Sequence, residues 1–449
     1  MSLLTRRSAL TLAVAAIPLG AQRRVFDVRD YGAAGDGKTL DTAAIQKAID
    51  AAAPSGGQVL LRGGKKYLTA TLVLRSGIDF HLADDAELLA STNRADYPRD
   101  ADGILTAESA HGLTITGNGN INGRAKQFMT GYDEAGEIWH FGPFRPKIFV
   151  FTACRDLEVR DISFSEAPFW GLHMLGCKHV LVDRIKIRNF LDVPNCDGID
   201  PDHCRDVEIR NCDIICGDDA IVIKSTRQTT SYGPCSNVYV HDCAMTTKDS
   251  GLKIGTETVE DVSGVRFEHC EIRSSCRGLT IQLRDEGNVG DIHFSDIRFT
   301  AQYQAAPWWG RGEAISLTAI PRTRETKAGH ISGIHFRNII GRAENSVRIQ
   351  GTPDSRISGV AMENVDITLN RTTAYPGPVF DNRPTSAYPD LEPHATPGYS
   401  IRYADNVTLK DCKLTWGPNR PAYYTNALES ENATALTLNH FTGDPIVFR

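Results

Sequence analysis

Cys204-Arg205-Asp206-Val207-Glu208-Ile209-Arg210-Asn211-Cys212-Asp213-Ile214 is the stretch that decides the fold. It opens on a cysteine, passes through a turn residue into alternating apolar positions, and closes near a second cysteine. The core of the unit recurs as Asp156-Leu157-Glu158-Val159, His179-Val180-Leu181-Val182, Asn237-Val238-Tyr239-Val240, Gly264-Val265-Arg266-Phe267 and Asp291-Ile292-His293-Phe294. An earlier copy is Gly112-Leu113-Thr114-Ile115, and later ones are Gly333-Ile334-His335-Phe336, Gly359-Val360-Ala361-Met362 and Asn406-Val407-Thr408-Leu409. Counted at the first apolar residue, the steps from Leu157 to Ile292 are 23, 27, 31, 27 and 27 residues. That period, with two or three short strands per unit and Gly, Asn and Asp turns, marks a right-handed parallel β-helix. A sandwich or propeller also has many strands, but would not place the same residue types at the same offset in every unit.

A second strand of each unit reads Asp197-Gly198-Ile199-Asp200, Asp219-Ala220-Ile221-Val222, Ser250-Gly251-Leu252-Lys253, Arg277-Gly278-Leu279-Thr280, Glu313-Ala314-Ile315-Ser316 and Asn345-Ser346-Val347-Arg348. The apolar third members predict an inward ladder. The first members, Asp197, Asp219, Ser250, Arg277, Glu313 and Asn345, then form an outward polar row that reads as a binding groove. Asp197 and Asp219 fall on neighbouring strands about 4.8 Å apart, and Asp218 reaches in from the turn. Crowded carboxyls raise at least one pKa, which suits a general acid working beside an ionised base. A calcium site and solvated turn aspartates are the other readings of this spacing.

The chain has 449 residues, 41% hydrophobic and 23% charged, enough for a sizeable core. A net charge of −6 with mixed distribution argues against nucleic acid, which needs a basic footprint. Residues 1–22 read as an export signal: Arg6-Arg7, an apolar run from Ala9 to Leu19, then Gly20-Ala21, resembling a twin-arginine signal. The expected location is periplasmic or secreted, and no stretch is long and apolar enough to span a membrane. Residues 23–449 read as a single β-helix domain, expected to act as a monomer. From Val25 to Ala90 the chain reads as an opening cap, with Asp41-Thr42 starting a helix whose Ile45, Ala48, Ile49 and Ala52 share one face. Such a cap covers the open edge of a solenoid. Of the eleven cysteines, Cys154, Cys177, Cys204 and Cys235 open the repeat and Cys212, Cys243, Cys270 and Cys412 close it, which predicts a buried ladder rather than a disulfide framework, and no pair has zinc spacing.

From Val25 onward these residues resemble glycoside hydrolase family 28, the polygalacturonases and rhamnogalacturonan hydrolases. Asp30-Tyr31-Gly32-Ala33 with Gly35-Asp36-Gly37 is similar to the family's N-terminal segment. Asn195-Cys196-Asp197 matches its Asn-Thr-Asp, and Gly217-Asp218-Asp219 its Gly-Asp-Asp, followed by the family-like Ala220-Ile221-Val222-Ile223-Lys224-Ser225. The resemblance implies inverting hydrolysis without a cofactor, with Asp218 as general acid and Asp197 and Asp219 activating water, on pectic poly- or oligosaccharide. It places substrate contacts at Asn195, at Ser250 where the family has His, and at Gln282 where it has Lys. Thr280-Ile281-Gln282 stands for the family's Arg-Ile-Lys, the pair that contacts the galacturonate carboxylate in polygalacturonases. Lys253 is the candidate replacement, with Arg277 and Arg284 after it. Glu313 lies one coil beyond Arg277, and Trp308-Trp309 either stack on a pyranose face or pack beneath a loop. Altered specificity is therefore expected.

Two other classes remain open at this point: a calcium-dependent pectate-lyase-type β-elimination with Asp197, Asp200, Asp218 and Asp219 as ligands, and a non-catalytic glycan-binding solenoid. Residues 125–147 and 370–400 read as long loops able to close the groove.

Overall fold

A computed structural model describes residues 23–449, so the export-signal reading of residues 1–22 lies outside the described residues. Strands stack in parallel, coil upon coil, into a right-handed β-helix. One coil illustrates the rest: Arg205–Arg210, then Asp213–Cys216, then Ile221–Ser225. The third strands of successive coils form a 13-stranded sheet. The first and second form two series that merge into one 24-stranded sheet. They merge because Val289–Ala301, Ile331–Ala343 and Ile357–Leu369 each run unbroken through both positions.

The repeat read from sequence is the stacking register. Leu157 pairs with Val180, Val180 with Val207, Val207 with Val238, Val238 with Val265 and Val265 with Ile292. All are buried. The residue before each has a left-handed backbone: Asp156, His179, Asp206, Asn237, Gly264 and Asp291 have φ between 53° and 65°. L-residues pay for that conformation, Gly, Asn and Asp least, which explains why those types recur there. All eleven cysteines are free and buried, as the ladder reading requires.

The helix spans Thr42–Ala52 and packs on the strands Val25–Asp27, Gln58–Leu61 and Leu72–Val73. Its buried face is Ile45, Ala48, Ile49 and Ala52. Asp41 does not cap it with its side chain. That carboxylate instead accepts from the Ala34 and Gly35 amides at 2.7 and 3.0 Å, closing the preceding turn.

The two long loops contain structure. Met129–Asp133 and Ile138–Phe141 form an antiparallel hairpin, as do Val379–Asp381 and Leu391–Pro393. Both insertions leave the coil at the corner just before the 13-stranded sheet. Their segments meet: Glu137 accepts from Tyr375 Oη at 2.5 Å and from Lys248 Nζ at 2.7 Å.

Candidate active site

The inward ladder of the 13-stranded sheet is Ile199, Ile221, Leu252, Leu279, Ile315 and Val347, in register. The polar row is also in register, with Ser250 opposite Arg277, Arg277 opposite Glu313 and Glu313 opposite Asn345. It is not an exposed groove along its length. Asp197 and Asp219 are 2% and 3% exposed, and Ser250, Arg277, Glu313 and Asn345 are all at 0%. The 379–393 hairpin lies across the later coils. Arg277 lies 3.7 Å from Asp381, Asn345 donates to the Val379 carbonyl at 3.0 Å, and Gln282 donates to the Arg383 carbonyl at 3.4 Å. Arg284 and Arg348 both donate to Asn382, at 3.2 and 2.6 Å.

What stays open is a cavity of about 260 Å³ over the coils of Asp197, Asp219 and Lys253. Of the residues expected from sequence, Asn195, Asp197, Asp218, Asp219, Lys253, Trp308 and Trp309 line it. Ser250, Arg277, Gln282, Arg284 and Glu313 do not. Ser250 sits behind the wall, its hydroxyl donating to Asp249 at 3.0 Å. Arg277 is sealed among Asp249, Glu313 and Asp381, at 3.7–3.8 Å. Trp308 is buried, with the Lys248 ammonium 5.4 Å from its ring centroid, whereas Trp309 is half-buried on the cavity wall.

Local backbone brings the acids together. The Gly198 amide donates to the Asp219 carbonyl at 2.9 Å, docking one coil on the next. A Cβ on Gly198 would lie 2.3 Å from the Ala220 carbonyl oxygen, so only glycine permits this approach. Asp218 turns toward the preceding coil, where the Asn195 amide donates to its Oδ2 at 3.0 Å. One oxygen from each of Asp197, Asp218 and Asp219 lies within 4.8 Å of the others.

Two buried lysines hold this charge. Lys253 Nζ donates to Asp219 Oδ2 at 2.6 Å. Lys224 Nζ lies 3.3 Å from Asp197 Oδ2 and 3.0 Å from Asp200 Oδ1, with its ammonium 3.9 Å from the Trp170 ring centroid. Burial, then Asp197 and Asp219, pushes the Asp218 carboxyl up to about 7. Burial and Asp200 push Asp197 well above the usual carboxylate range. Asp249, immediately before Ser250 as Asp218 is before Asp219, is pushed up to about 8 by burial and then by Asp219. Lys224, Asp249, Trp170 and Glu257 line the cavity and escaped the sequence reading. Lys224 could have been found as the one cation in the otherwise apolar Ile221–Ser225 run, and Asp249 by continuing the alignment one place back.

The three carboxylates could gather round a metal ion. However, the Lys253 and Lys224 ammoniums already supply positive charge to two of them, where Ca²⁺ takes 6–8 oxygens. The set is better matched to proton transfer, with Asp197 and Asp218 both pushed toward the protonated form beside Asp219, which is bonded to the Lys253 ammonium.

A parallel solenoid that gathers ionisable carboxyls in one cleft of a strand face defines a class, the carbohydrate-active β-helix enzymes. Residues 53–376 match Glycosyl hydrolases family 28, and the chain belongs to that family and is a glycoside hydrolase. A probable polygalacturonase of Vitis vinifera is 27% identical over 370 residues, 76% of this chain and 73% of that protein. An exopolygalacturonase of Zea mays is 24% identical, covering 78% and 86%. The solved family 28 exopolygalacturonase of Yersinia enterocolitica shares the fold with a TM-score of 0.70 and 17% identity, covering 95% of this chain and 80% of that one. An exopolygalacturonase of Thermotoga maritima has a TM-score of 0.64 and 19% identity, covering 93% and 92%.

Proposed function

We propose that the protein hydrolyses O-glycosidic bonds in pectic poly- or oligosaccharide, with Asp218 protonating the leaving oxygen and Asp197 and Asp219 activating water. The observation that carries this is the contrast within one cluster: Asp218 is pushed up to about 7, while its sequence neighbour Asp219 is bonded to an ammonium at 2.6 Å. One carboxyl is thus held protonated toward neutrality while its neighbour is hydrogen-bonded to an ammonium. The pectic substrate is supported by the family and by relatives named as polygalacturonases.

We propose inversion at the anomeric carbon. One oxygen of each of the three acids lies within 4.8 Å of the others, so the acid and the water-activating groups face one gap. NMR of the first-formed anomer tests this: an inverted product supports the water mechanism, and a retained one overturns it.

Specificity is proposed to differ from ordinary polygalacturonase. Ser250 stands where the family's His is expected, Thr280 and Gln282 stand where its carboxylate-contacting Arg and Lys are expected, and all three are fully buried. Reducing-end release should be slow from unbranched polygalacturonan and faster from another pectic substrate such as rhamnogalacturonan. Robust cleavage of polygalacturonan overturns this. Action on chain ends is supported by the hairpin across the later coils and by a cavity below the roughly 300–1,000 Å³ usual for ligand sites. Release of single residues or short oligomers from the outset is the expected pattern. Export rests on residues 1–22, and loss of a fragment of about that length on secretion would support it.

A further inference from the structure

This inference rests on the hydrolase reading above and narrows its substrate. Five carboxyls line the cavity, Asp197, Asp218, Asp219, Asp249 and Glu257, against two ammoniums, Lys224 and Lys253. With all ionised, the balance is 2 − 5 = −3. Granting the raised carboxyls Asp197, Asp218 and Asp249 their protons, it is 2 − 2 = 0. The lining never carries a positive excess.

Neither lysine is free. Lys253 is bonded to Asp219 at 2.6 Å, and Lys224 lies between Asp197 and Asp200 at 3.3 and 3.0 Å. The guanidiniums of the following coils are spoken for beneath the 379–393 hairpin. Arg277 sits among three carboxylates, and Arg284 donates to Thr318 Oγ1 at 3.0 Å and to the Asn382 carbonyl at 3.2 Å. Two guanidiniums behind the wall are also engaged, Arg145 donating to Asn195 Oδ1 at 3.0 Å and Arg322 to the Thr256 carbonyl at 2.9 Å and to Asp285. A sugar carboxylate entering here would lose water and meet only cations already bonded to protein acceptors, a costly state for a buried ion. The uncommitted groups suit hydroxyls instead. Asp197 Oδ1 and Trp308 Nε1 are buried without a hydrogen-bond partner, one an acceptor and one a donor. Glu257 is half-buried, and the one side-chain hydroxyl donating to it is Thr256 Oγ1, at 3.4 Å.

We infer that the sugar seated in this cavity is uncharged, either a neutral pectic sugar or a methyl-esterified uronate. Glu257 is a specificity-determining residue that accepts a sugar hydroxyl and repels a carboxylate.

The test uses the wild-type protein on matched p-nitrophenyl α-glycosides: galacturonide, its methyl ester, galactoside and rhamnoside. Calorimetric titration of the corresponding free sugars runs beside it. The expected result is that at least one uncharged glycoside exceeds the galacturonide in kcat/KM by at least about tenfold, with binding in the same order. Turnover of the ester alone identifies the esterified uronate, and turnover of a neutral glycoside identifies a neutral sugar. Glu257→Gln should raise the galacturonide-to-neutral ratio by roughly tenfold at low salt, and less at high salt. A galacturonide preferred over every uncharged probe overturns the inference while leaving the hydrolase reading intact. Sugars that bind in the expected order without cleavage of any glycoside leave the inference standing and remove the hydrolase reading. Absence of both binding and cleavage overturns both, and an unchanged ratio in Glu257→Gln removes the role of that residue.

Discussion

Replacing Asp218 by Asn removes a proton while keeping the shape of the side chain, and the consequences can be worked from the site. With its carboxyl at about 7, Asp218 is roughly 90% protonated at pH 6. At the ordinary value of 3.8 it would be less than about 1% protonated at that pH. Burial and the neighbouring Asp197 and Asp219 therefore raise the concentration of proton donor by roughly a hundredfold. General acid catalysis contributes about 10²–10⁴-fold when the leaving group is a poor one. Asp218→Asn should lose about that factor on a substrate whose leaving group is a sugar alkoxide. On a p-nitrophenyl glycoside, whose leaving group departs without a proton, the loss should be under about tenfold. The wild-type rate should fall as the pH rises through about 7, and this alkaline limb should vanish in the variant. The assay is the pH profile of kcat and kcat/KM for both substrates with both proteins. Equal losses on the two leaving groups, or an alkaline limb that survives in Asp218→Asn, would refute the assignment of Asp218 as the acid.

Other expectations concern stability as well as rate. Asp218 and Asp249 have folded-state values raised above 3.8, to about 7 and about 8, so the stability they lend is present in acid and is lost as the pH rises through those values. The melting midpoint should fall by roughly 5 °C or more between pH 5 and 9, less so in Asp249→Asn; a flat or rising midpoint would contradict it. Lys253→Met leaves Asp219 buried without its 2.6 Å partner, and urea unfolding should show a loss of about 3–5 kcal/mol. An unchanged unfolding midpoint would mean that the ammonium is not needed to keep the acids together. Gly198→Ala sets a methyl 2.3 Å from the Ala220 carbonyl oxygen. Two coils must part to admit it, so we expect more than about 4 kcal/mol of destabilisation, read by the same titration, or failure to fold.

The sequence alone determined everything that repeats. Inward ladders such as Val207–Val238–Val265 were legible because stacking in register demands an apolar residue at a constant offset. The turn residues that set this register were legible because Gly, Asn and Asp, which tolerate the left-handed backbone best, recur just ahead of the apolar positions. Asp197 and Asp219 were placed on adjacent strands by the same periodicity, with Asp218 beside them. The tertiary structure decided what does not repeat. Insertions at one corner of the coil make contacts across great sequence distance, as Glu137 and Tyr375 do at 238 residues. Nothing in a local pattern announces such a contact. One insertion turned half of the polar row, from Arg277 to Asn345, from an open groove into buried ion pairs and hydrogen bonds. The fold also paired Lys224 with Asp197 and brought Asp249 and Glu257 to the cavity wall. Periodicity fixes where a side chain sits along the solenoid, but only the packed insertions determine which of those side chains remain exposed to solvent and which are left without a free partner.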